Sequence, residues 1–175
     1  EIALGASNGR MVRFDENEIR AMGRSSSGVK GIDLDGSFVV GAEVVNSGQY
    51  ILIVTEKGYG KKTVIDEYRL THRGSKGVKA YNLTDKNGIM VSLKCFNPND
   101  EFDLIIMTDS GIIIKLPLDQ VSTLKRATQG VRLMNLKDDQ KVSTVALVEK
   151  EEELPEENDI NVSAENVVEE GNTSE

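Results

Sequence analysis

Residues 71–79 read THRGSKGVK, a short stretch that combines basic side chains with glycines. The pattern of Arg, three residues, Gly-Val and then Lys or Arg also occurs in GRSSSGVK at 23–30 and in KRATQGVR at 125–132. The Gly before each Val is Gly28, Gly77 and Gly130, so the copies stand 49 and 53 residues apart. A pattern that returns at a nearly constant spacing indicates an internal repeat.

Other residues recur at fixed distances from these glycines, on both sides. They are Gly9, Gly58 and Gly111 before the stretch, Arg13, Lys62 and Lys115 four residues after those glycines, and Leu34, Leu83 and Leu136 after the stretch. The chain therefore divides into three units, roughly 1–50, 51–103 and 104–148, followed by a tail at 149–175.

Each unit predicts four short strands. Polar turns with glycine (ASNG at 6–9, TEKG at 55–58, TDSG at 108–111) follow apolar runs and are hairpin signals. A second strand with a base follows, then the basic stretch, and an apolar strand such as IMVSLKCF at 89–96 closes the unit. No long window has helical periodicity. We predict an all-β fold of four-stranded antiparallel blades, as in propeller-like rings.

Three blades are fewer than the four or more that a closed ring of this kind typically needs. We therefore expect an arc of a larger ring, or the end of one. In that arc, the strand near residues 2–6 is expected to lie at an open sheet edge, where unpaired backbone groups favour aggregation.

The net charge of −8 conceals two oppositely charged parts. Residues 149–175 hold eleven acids and one base, which leaves 18 acids and 20 bases in residues 1–148. The body is mildly basic, which suggests a nucleic-acid partner. The tail has no aromatic residue and only scattered apolar ones, so we predict that it is disordered.

The recurring bases predict contacts with phosphate, because Arg and Lys at the same address in each blade would form a periodic band of cations. The candidate residues are Arg13, Arg24, Lys30, Lys61, Lys62, Arg73, Lys76, Lys79, Lys115, Lys125, Arg126 and Arg132. Aromatic platforms for single strands are scarce, with four Tyr, four Phe and no Trp. Contact with the backbone of duplex DNA is the better fit.

Several stretches resemble the C-terminal domain of the A subunit of bacterial DNA gyrase. They are NGRMVRFDENEIRAMGRSSSGVKGI at 8–32, GYGKKTVIDEY at 58–68, RGSKGVKAYNLTDKNG at 73–88 and IMTDSGIIIKLPLDQVSTLKRATQGVRLMNL at 106–136. The resemblance implies a six-bladed β-pinwheel whose blades exchange strands, of which this chain would supply the last three blades and the acidic tail. It also implies that duplex DNA wraps around a basic perimeter and that the whole enzyme then introduces negative supercoils.

The resemblance further implies partners and a location. The partners are duplex DNA, the rest of the gyrase A subunit and the gyrase B subunit in an A2B2 assembly, in the bacterial cytoplasm at the nucleoid. ATP and magnesium would be used on other domains, so no cofactor is expected here. The family's box, Gln-Arg-Arg-Gly-Gly-Lys-Gly in the first blade, is absent; residues 71–77 match it at Arg73, Gly74, Lys76 and Gly77.

No active site is recognisable in the sequence, and the family's nucleophilic tyrosine is absent. Cys95 and His72 are single residues of their types, so neither a disulfide nor a zinc site is expected. No apolar run approaches the roughly 18–20 residues of a membrane span.

Two other functions remain open: the matching domain of topoisomerase IV, and a propeller scaffold that binds proteins. The acidic tail is a possible competitor of DNA for the basic body.

Overall fold

The computed structural model describes residues 1–137 and 139–150. The first unit holds β1 (Ile2–Ala6), β2 (Arg10–Phe14) and β3 (Val39–Val44); the second holds β4 (Tyr50–Thr55), β5 (Tyr59–Val64), β6 (Val78–Lys79) and β7 (Met90–Phe96). The third holds β8 (Phe102–Thr108), β9 (Ile113–Pro117), β10 (Val131–Arg132) and β11 (Val142–Glu149). Single 3-10 turns follow the second strand of each unit, at Glu16–Glu18, Ile65–Glu67 and Leu118–Gln120.

The first two strands of each unit form the predicted hairpin. In the first unit, β1 and β2 pair antiparallel with Ile2 opposite Phe14. The turn between them closes at Gly9, whose φ of +79° is the left-handed conformation that glycine adopts without a steric penalty. The amide of Gly9 donates to the carbonyl of Ala6 at 3.0 Å. The sequence signal of a polar turn ending in glycine therefore predicted these hairpins correctly.

The strands assemble into three antiparallel sheets with the orders β3-β1-β2-β6, β10-β5-β4-β7 and β11-β8-β9. The all-β prediction is confirmed. Each sheet does not come from one unit, however. The short Gly-Val-Lys/Arg strand of the second unit, β6, pairs with β2 of the first, and β10 of the third pairs with β5 of the second. The strand exchange that the family resemblance implied is thus present at both junctions.

The junctions are closed by the same hydrogen bonds at equivalent positions. At the first junction the carbonyl of Gly9 accepts from the amides of Ala80 and Tyr81, at 2.8 and 3.1 Å. At the second, the carbonyl of Gly58 accepts from Leu133 and Met134, at 2.8 and 3.2 Å. The recurring glycine thus binds the next unit as well as closing a hairpin.

The expectation of an open edge at β1 is wrong. β1 lies inside its sheet, where it pairs with β2 on one side and β3 on the other. The open positions are elsewhere. Residues 24–30, the counterpart of the segments containing β6 and β10, form no strand and are exposed. Within the described residues, the outer side of β9 carries no pairing strand.

Neighbouring sheets pack through their apolar faces, with β7 in contact with both β3 and β11. One core cluster joins the first two units and includes Met11, Val45, Tyr68 and Leu93. Another joins the second and third units and includes Phe96, Ile106 and Val145. The ordered body extends slightly past the predicted boundary, because Glu149 ends β11 and the Lys150 amide donates to Glu101. The predicted disorder of the tail concerns residues that, from 151 onward, lie outside those described.

Candidate nucleic-acid interface

The Arg of the repeated stretch connects consecutive units. The backbone amide of Arg73 donates to Glu18 Oε2 at 3.1 Å, and its Nε donates to the Glu18 carbonyl at 3.1 Å. Its Nη1 reaches the carbonyl of Lys30 at 3.3 Å. All three acceptor atoms belong to the first unit, so Arg73 holds the second unit against the first.

Arg126 repeats this arrangement at the second junction. Its amide donates to Glu67 Oε2 at 2.9 Å, and its Nη1 donates to the carbonyl of Lys79 at 2.9 Å. The recurrence of this Arg is therefore explained by the fold, and both guanidinium groups are already engaged in part. Arg24, their counterpart in the first unit, is exposed.

Two of the candidate bases are buried. The guanidinium of Arg13, 7% exposed, donates to the carbonyls of Ile65 and Tyr68, each at 3.0 Å, and forms an ion pair with Glu1. Lys61 is fully buried, and its amine donates to the carbonyls of Lys125 and Arg126 at 2.8 and 2.5 Å. Their burial does not support a direct contact with phosphate for either residue.

Lys62 and Lys115, the counterparts of Arg13 in the other units, do not share its surroundings. The amine of Lys62 donates to the carbonyls of Leu118 and Asp119 at 3.1 and 3.4 Å. Lys115 forms an ion pair with Asp103 at 3.0 Å. The base at this repeat position thus has different contacts in each of the three units. The position therefore does not define a single band of cations.

The base after Gly-Val, in contrast, is exposed in every unit, at Lys30, Lys79 and Arg132. Lys76 and Lys125 are exposed as well. Lys76 pairs with Asp35 at 2.9 Å, and this hydrogen bond raises the pKa of its amine. Such solvated pairs are weak, so these side chains keep most of their capacity to bind an anion.

A group of bases that the sequence did not single out surrounds Tyr59. The ring of Tyr59 lies 5.4 Å from the guanidinium carbon of Arg132 and 5.6 Å from Lys86 Nζ. Lys57, Lys137 and Lys141 line the same cavity. These residues come from two units and from loops of different lengths, so only the fold brings them together. Of this group, the repeat pattern had predicted Arg132 alone.

Other chemistry has little basis in the described part of the chain. There, no group of three His, Cys, Asp or Glu side chains could hold a metal ion. His72 contacts Glu18, with Nδ1 3.2 Å from Oε1. Burial raises the pKa of the Cys95 thiol to about 11, so this thiol is a poor nucleophile at neutral pH. No helix in the described ranges is both long and apolar enough to span a membrane.

The sequence of this chain is similar to those of known proteins. The chain is similar to the A subunit of DNA gyrase from Ureaplasma parvum serovar 3, at 44% identity over 167 residues, which cover 93% of this chain and 20% of that protein. It is 45% identical over 174 residues to the A subunit of DNA gyrase from Staphylococcus aureus, covering 98% of this chain and 19% of that protein. The chain thus spans about a fifth of the length of these relatives.

Two solved structures have the same fold. The C-terminal domain of DNA topoisomerase IV matches with a TM-score of 0.75 at 23% identity, over 85% of this chain and 46% of that one. The DNA gyrase A C-terminal domain matches with a TM-score of 0.72 at 21% identity, over 83% of this chain and 50% of that one.

The family model described as the DNA gyrase C-terminal domain, a beta-propeller, matches residues 1–46, 49–97 and 103–149. These three segments correspond to the three repeat units found in the sequence and the structure. Because the family model matches most of the chain, this protein belongs to the DNA gyrase C-terminal domain family.

Proposed function

We propose that this chain is part of the DNA-wrapping domain of the A subunit of a bacterial DNA gyrase, and that its repeats bind the phosphates of duplex DNA. The observation that carries the proposal is the exposed base after Gly-Val in each unit, at Lys30, Lys79 and Arg132. The chain also belongs to the DNA gyrase C-terminal domain family, which supports DNA as the ligand of this repeated base. A base that the fold does not bury and that returns in each unit can follow a polymer of regularly spaced phosphates.

In this proposal the domain wraps DNA in a right-handed sense and presents a positive crossover to the cleavage core. Strand passage there, driven by ATP, converts that crossover into negative supercoils. The remainder of the A subunit, together with the B subunit in an A2B2 assembly at the bacterial nucleoid, supplies the cleavage and ATPase chemistry. ATP and magnesium would act on those other domains.

The C-terminal domain of topoisomerase IV is the alternative within the same fold, and its structure resembles this one. The relatives at 44–45% identity are gyrase subunits, which favours gyrase. A protein-binding scaffold is the alternative of another class, and it predicts no salt-dependent binding to DNA.

The test is a titration of duplex DNA with the 175-residue chain at a series of salt concentrations. A protein that neutralises several phosphates loses orders of magnitude in affinity between about 50 and 200 mM salt. The variants Lys30→Gln, Lys79→Gln and Arg132→Gln should each weaken binding and lower the salt slope by about one. Lys94→Gln is the matched control, since Lys94 lies on β7 and pairs with Glu43 at 3.4 Å.

DNA binding along the repeated stretch is supported if affinity depends steeply on salt and if the Lys30, Lys79 and Arg132 variants, but not Lys94→Gln, reduce that dependence. Tight, salt-independent binding would contradict phosphate contact. A folded chain that binds no duplex at any salt concentration would contradict the proposed function and favour the scaffold.

A further inference from the structure

A cavity of about 370 Å³ lies at the junction of the second and third units and is lined by several bases, of which only Arg132 belongs to the repeated stretch. We name it the Tyr59 pocket. Its lining includes Tyr59 and the bases Lys57, Lys86, Arg132, Lys137 and Lys141. Among the described residues that line it there are five bases and no carboxylate.

Hydrogen bonds join the two residues at the centre of the Tyr59 pocket, Tyr59 and Arg132. Tyr59 is only 7% exposed, and its hydroxyl accepts from Arg132 Nη2 at 2.8 Å and Nε at 3.2 Å. Nη1 of the same guanidinium donates to Asn135 Oδ1 at 3.2 Å. A guanidinium has five N–H groups in a planar fork. Three are used to hold its orientation, which leaves two to donate to a ligand.

The positive charge of the pocket is compensated only in part. Lys141 pairs with Glu56 at 3.0 Å. Within the described residues this is the single ion pair of the five bases. Lys57 donates to the backbone carbonyl of Asp85, which carries no net charge. The five bases exceed the one carboxylate that pairs with them, so the lining of the pocket attracts an anion.

The fold itself does not require this cluster. Alignment of the repeats places Asn8, Arg10, Ser37, Lys79, Thr84 and Gly88 at the first junction where the second has Lys57, Tyr59, Lys86, Arg132, Lys137 and Lys141. The first junction forms the same strand pairing with two bases at these positions instead of five. The extra charge at the second junction is therefore not needed for the strand pairing.

We infer that the Tyr59 pocket is a binding site for a phosphate group. Arg binds phosphate through paired N–H donors, and several Lys around it add charge at many positions. The group comes either from the backbone of DNA bound by the chain or from a free phosphate compound. The first source rests on the proposed function, and the second does not.

The experiment uses the 175-residue chain and two probes, inorganic pyrophosphate by titration calorimetry and duplex DNA by gel shift. The test variant is Lys86→Gln/Lys137→Gln, which removes two charges and leaves the Arg132–Tyr59 contact in place. The control is Arg20→Gln/Lys94→Gln, which removes two charges from outside the pocket. Lys86→Arg/Lys137→Arg keeps the charge, and thermal unfolding checks that all the variants fold like the wild type.

We expect the test variant to bind pyrophosphate about tenfold or more weakly, while the control and the Arg variant bind like the wild type. If DNA is the source, pyrophosphate will displace DNA at matched ionic strength, and the test variant will also bind DNA more weakly. If a free phosphate compound is the source, the test variant will bind DNA as tightly as the wild type.

The site and the proposed function fail in different ways. If the chain binds no DNA, the proposed function is overturned. If the test variant of that chain still loses the pyrophosphate binding of the wild type, the site is supported. Suppose instead that the chain binds DNA in a salt-dependent way, but that the wild type and the test variant bind pyrophosphate equally or not at all. That result overturns the site and leaves the proposed function standing.

Discussion

Lys61 is a fully buried base whose amine is surrounded by backbone oxygens of the segment that carries the third basic stretch. Besides the carbonyls of Lys125 and Arg126, it contacts the carbonyl and hydroxyl of Thr128 at 3.4 and 3.2 Å. The ring of Tyr81 lies 4.9 Å from the amine. The amine is thus a structural crosslink between β5 and the loop at 125–128. Its burial lowers its pKa to about 7.

Replacement of Lys61 by Met should destabilise the chain by roughly 1–3 kcal/mol, because the buried carbonyls at 125–128 would lose their donor. The unfolded chain keeps the Lys61 proton up to a pH near 10.5, whereas the folded chain releases it above about 7. Between these values the unfolded state binds more protons, so the group's contribution to stability rises with pH, by at most about 1.4 kcal/mol per unit.

The measurement is urea unfolding of wild type and Lys61→Met at pH 7 and pH 9. The wild type should gain stability relative to the variant at the higher pH. A difference between the two proteins that is independent of pH would show that the folded chain keeps the proton throughout this range.

Arg126 allows a second prediction at this scale, because the first unit offers its own control. Arg126→Ala removes a bond to the Lys79 carbonyl and should cost about 1–2 kcal/mol of unfolding free energy. Arg24→Ala, at the same position of the exposed first copy, should change stability by less than about 0.5 kcal/mol. Equal costs in thermal unfolding would contradict the assigned role of Arg126 at the junction.

The sequence predicted which residues recur but not what each of them does. Arg13 and Lys61 were expected at the surface because charged side chains are seldom buried alone. Both are buried because carbonyls of the following unit accept hydrogen bonds from their N–H groups. The one visible signal for Arg13 was its position between Val12 and Phe14, both of which are buried. Apart from Arg132, the bases around Tyr59 had no signal, since they share no repeat position.

At the scale of the element, the Gly before Val is required by its neighbours as well as by its own conformation. Gly77 has a φ of +68°, and a Cβ there would lie 2.6 Å from the carbonyl carbon of Met11 and closer still to its oxygen. Gly130 is similar, with φ +71° and a Cβ that would collide with the Tyr81 hydroxyl. Gly28 has φ +77°, but a Cβ there would meet no atom within 4 Å.

This contrast predicts that a Gly→Ala substitution lowers the free energy of unfolding more at Gly77 than at Gly28. Gly77→Ala should lose at least about 3 kcal/mol, because conformational strain adds to a collision with the strand that β6 joins. Gly28→Ala should lose about 1 kcal/mol or less, because its exposed segment can relax. Denaturant unfolding of the two variants measures both. A Gly28 variant as unstable as the Gly77 variant would show that residues 24–30 are held by contacts within the chain.

Strand positions were predictable, but their partners were not. The hairpin turns and apolar runs placed the first two strands and the closing strand of each unit correctly, since these signals are local. The fourth predicted strand forms in the second and third units but not in the first, where residues 24–30 form no strand. β6 and β10 have two residues each, and nothing in Val78–Lys79 or Val131–Arg132 distinguishes pairing within a unit from pairing with the preceding one. The family resemblance, and not the residue pattern, supplied the exchange of strands.

At the scale of the whole molecule, strand exchange leaves two complementary unpaired positions. Residues 24–30 are a copy of the segment that pairs with β2 and β5, and the outer side of β9 is a copy of the edges that accept it. Ile112 and Ile113 near this edge are 43% and 56% exposed. An exposed apolar edge favours pairing between chains.

The chain should therefore associate head to tail as its concentration rises, and Ile113→Lys should reduce this association, since an edge Lys opposes strand addition. Sedimentation velocity over a range of concentrations measures the effect. Leu70→Lys, at an exposed position outside the strands, is the control for a general effect of added charge. Equal reduction by both variants would contradict pairing at β9.

The acidic tail adds a prediction that rests on charge alone. Residues 151–175 hold ten acids and no base, tethered to a basic body at an effective concentration of millimolar order. Truncation after Lys150 should raise the affinity for duplex DNA severalfold, most strongly at low salt. A tail of full length with its acids changed to amides should behave like the truncation. Unchanged affinity in both would contradict competition by the tail.

Strand exchange also sets the order in which the sheets are completed during synthesis. β3 ends at Val44, but the last strand of its sheet, β6, ends at Lys79, so about 35 more residues must be made before that sheet is complete. At roughly 5–20 residues per second, this leaves the sheet one strand short for about two to seven seconds. Each unit on the ribosome thus exposes a bare edge until its successor emerges. A pause in translation between two units would prolong the period when neighbouring nascent chains can capture that edge.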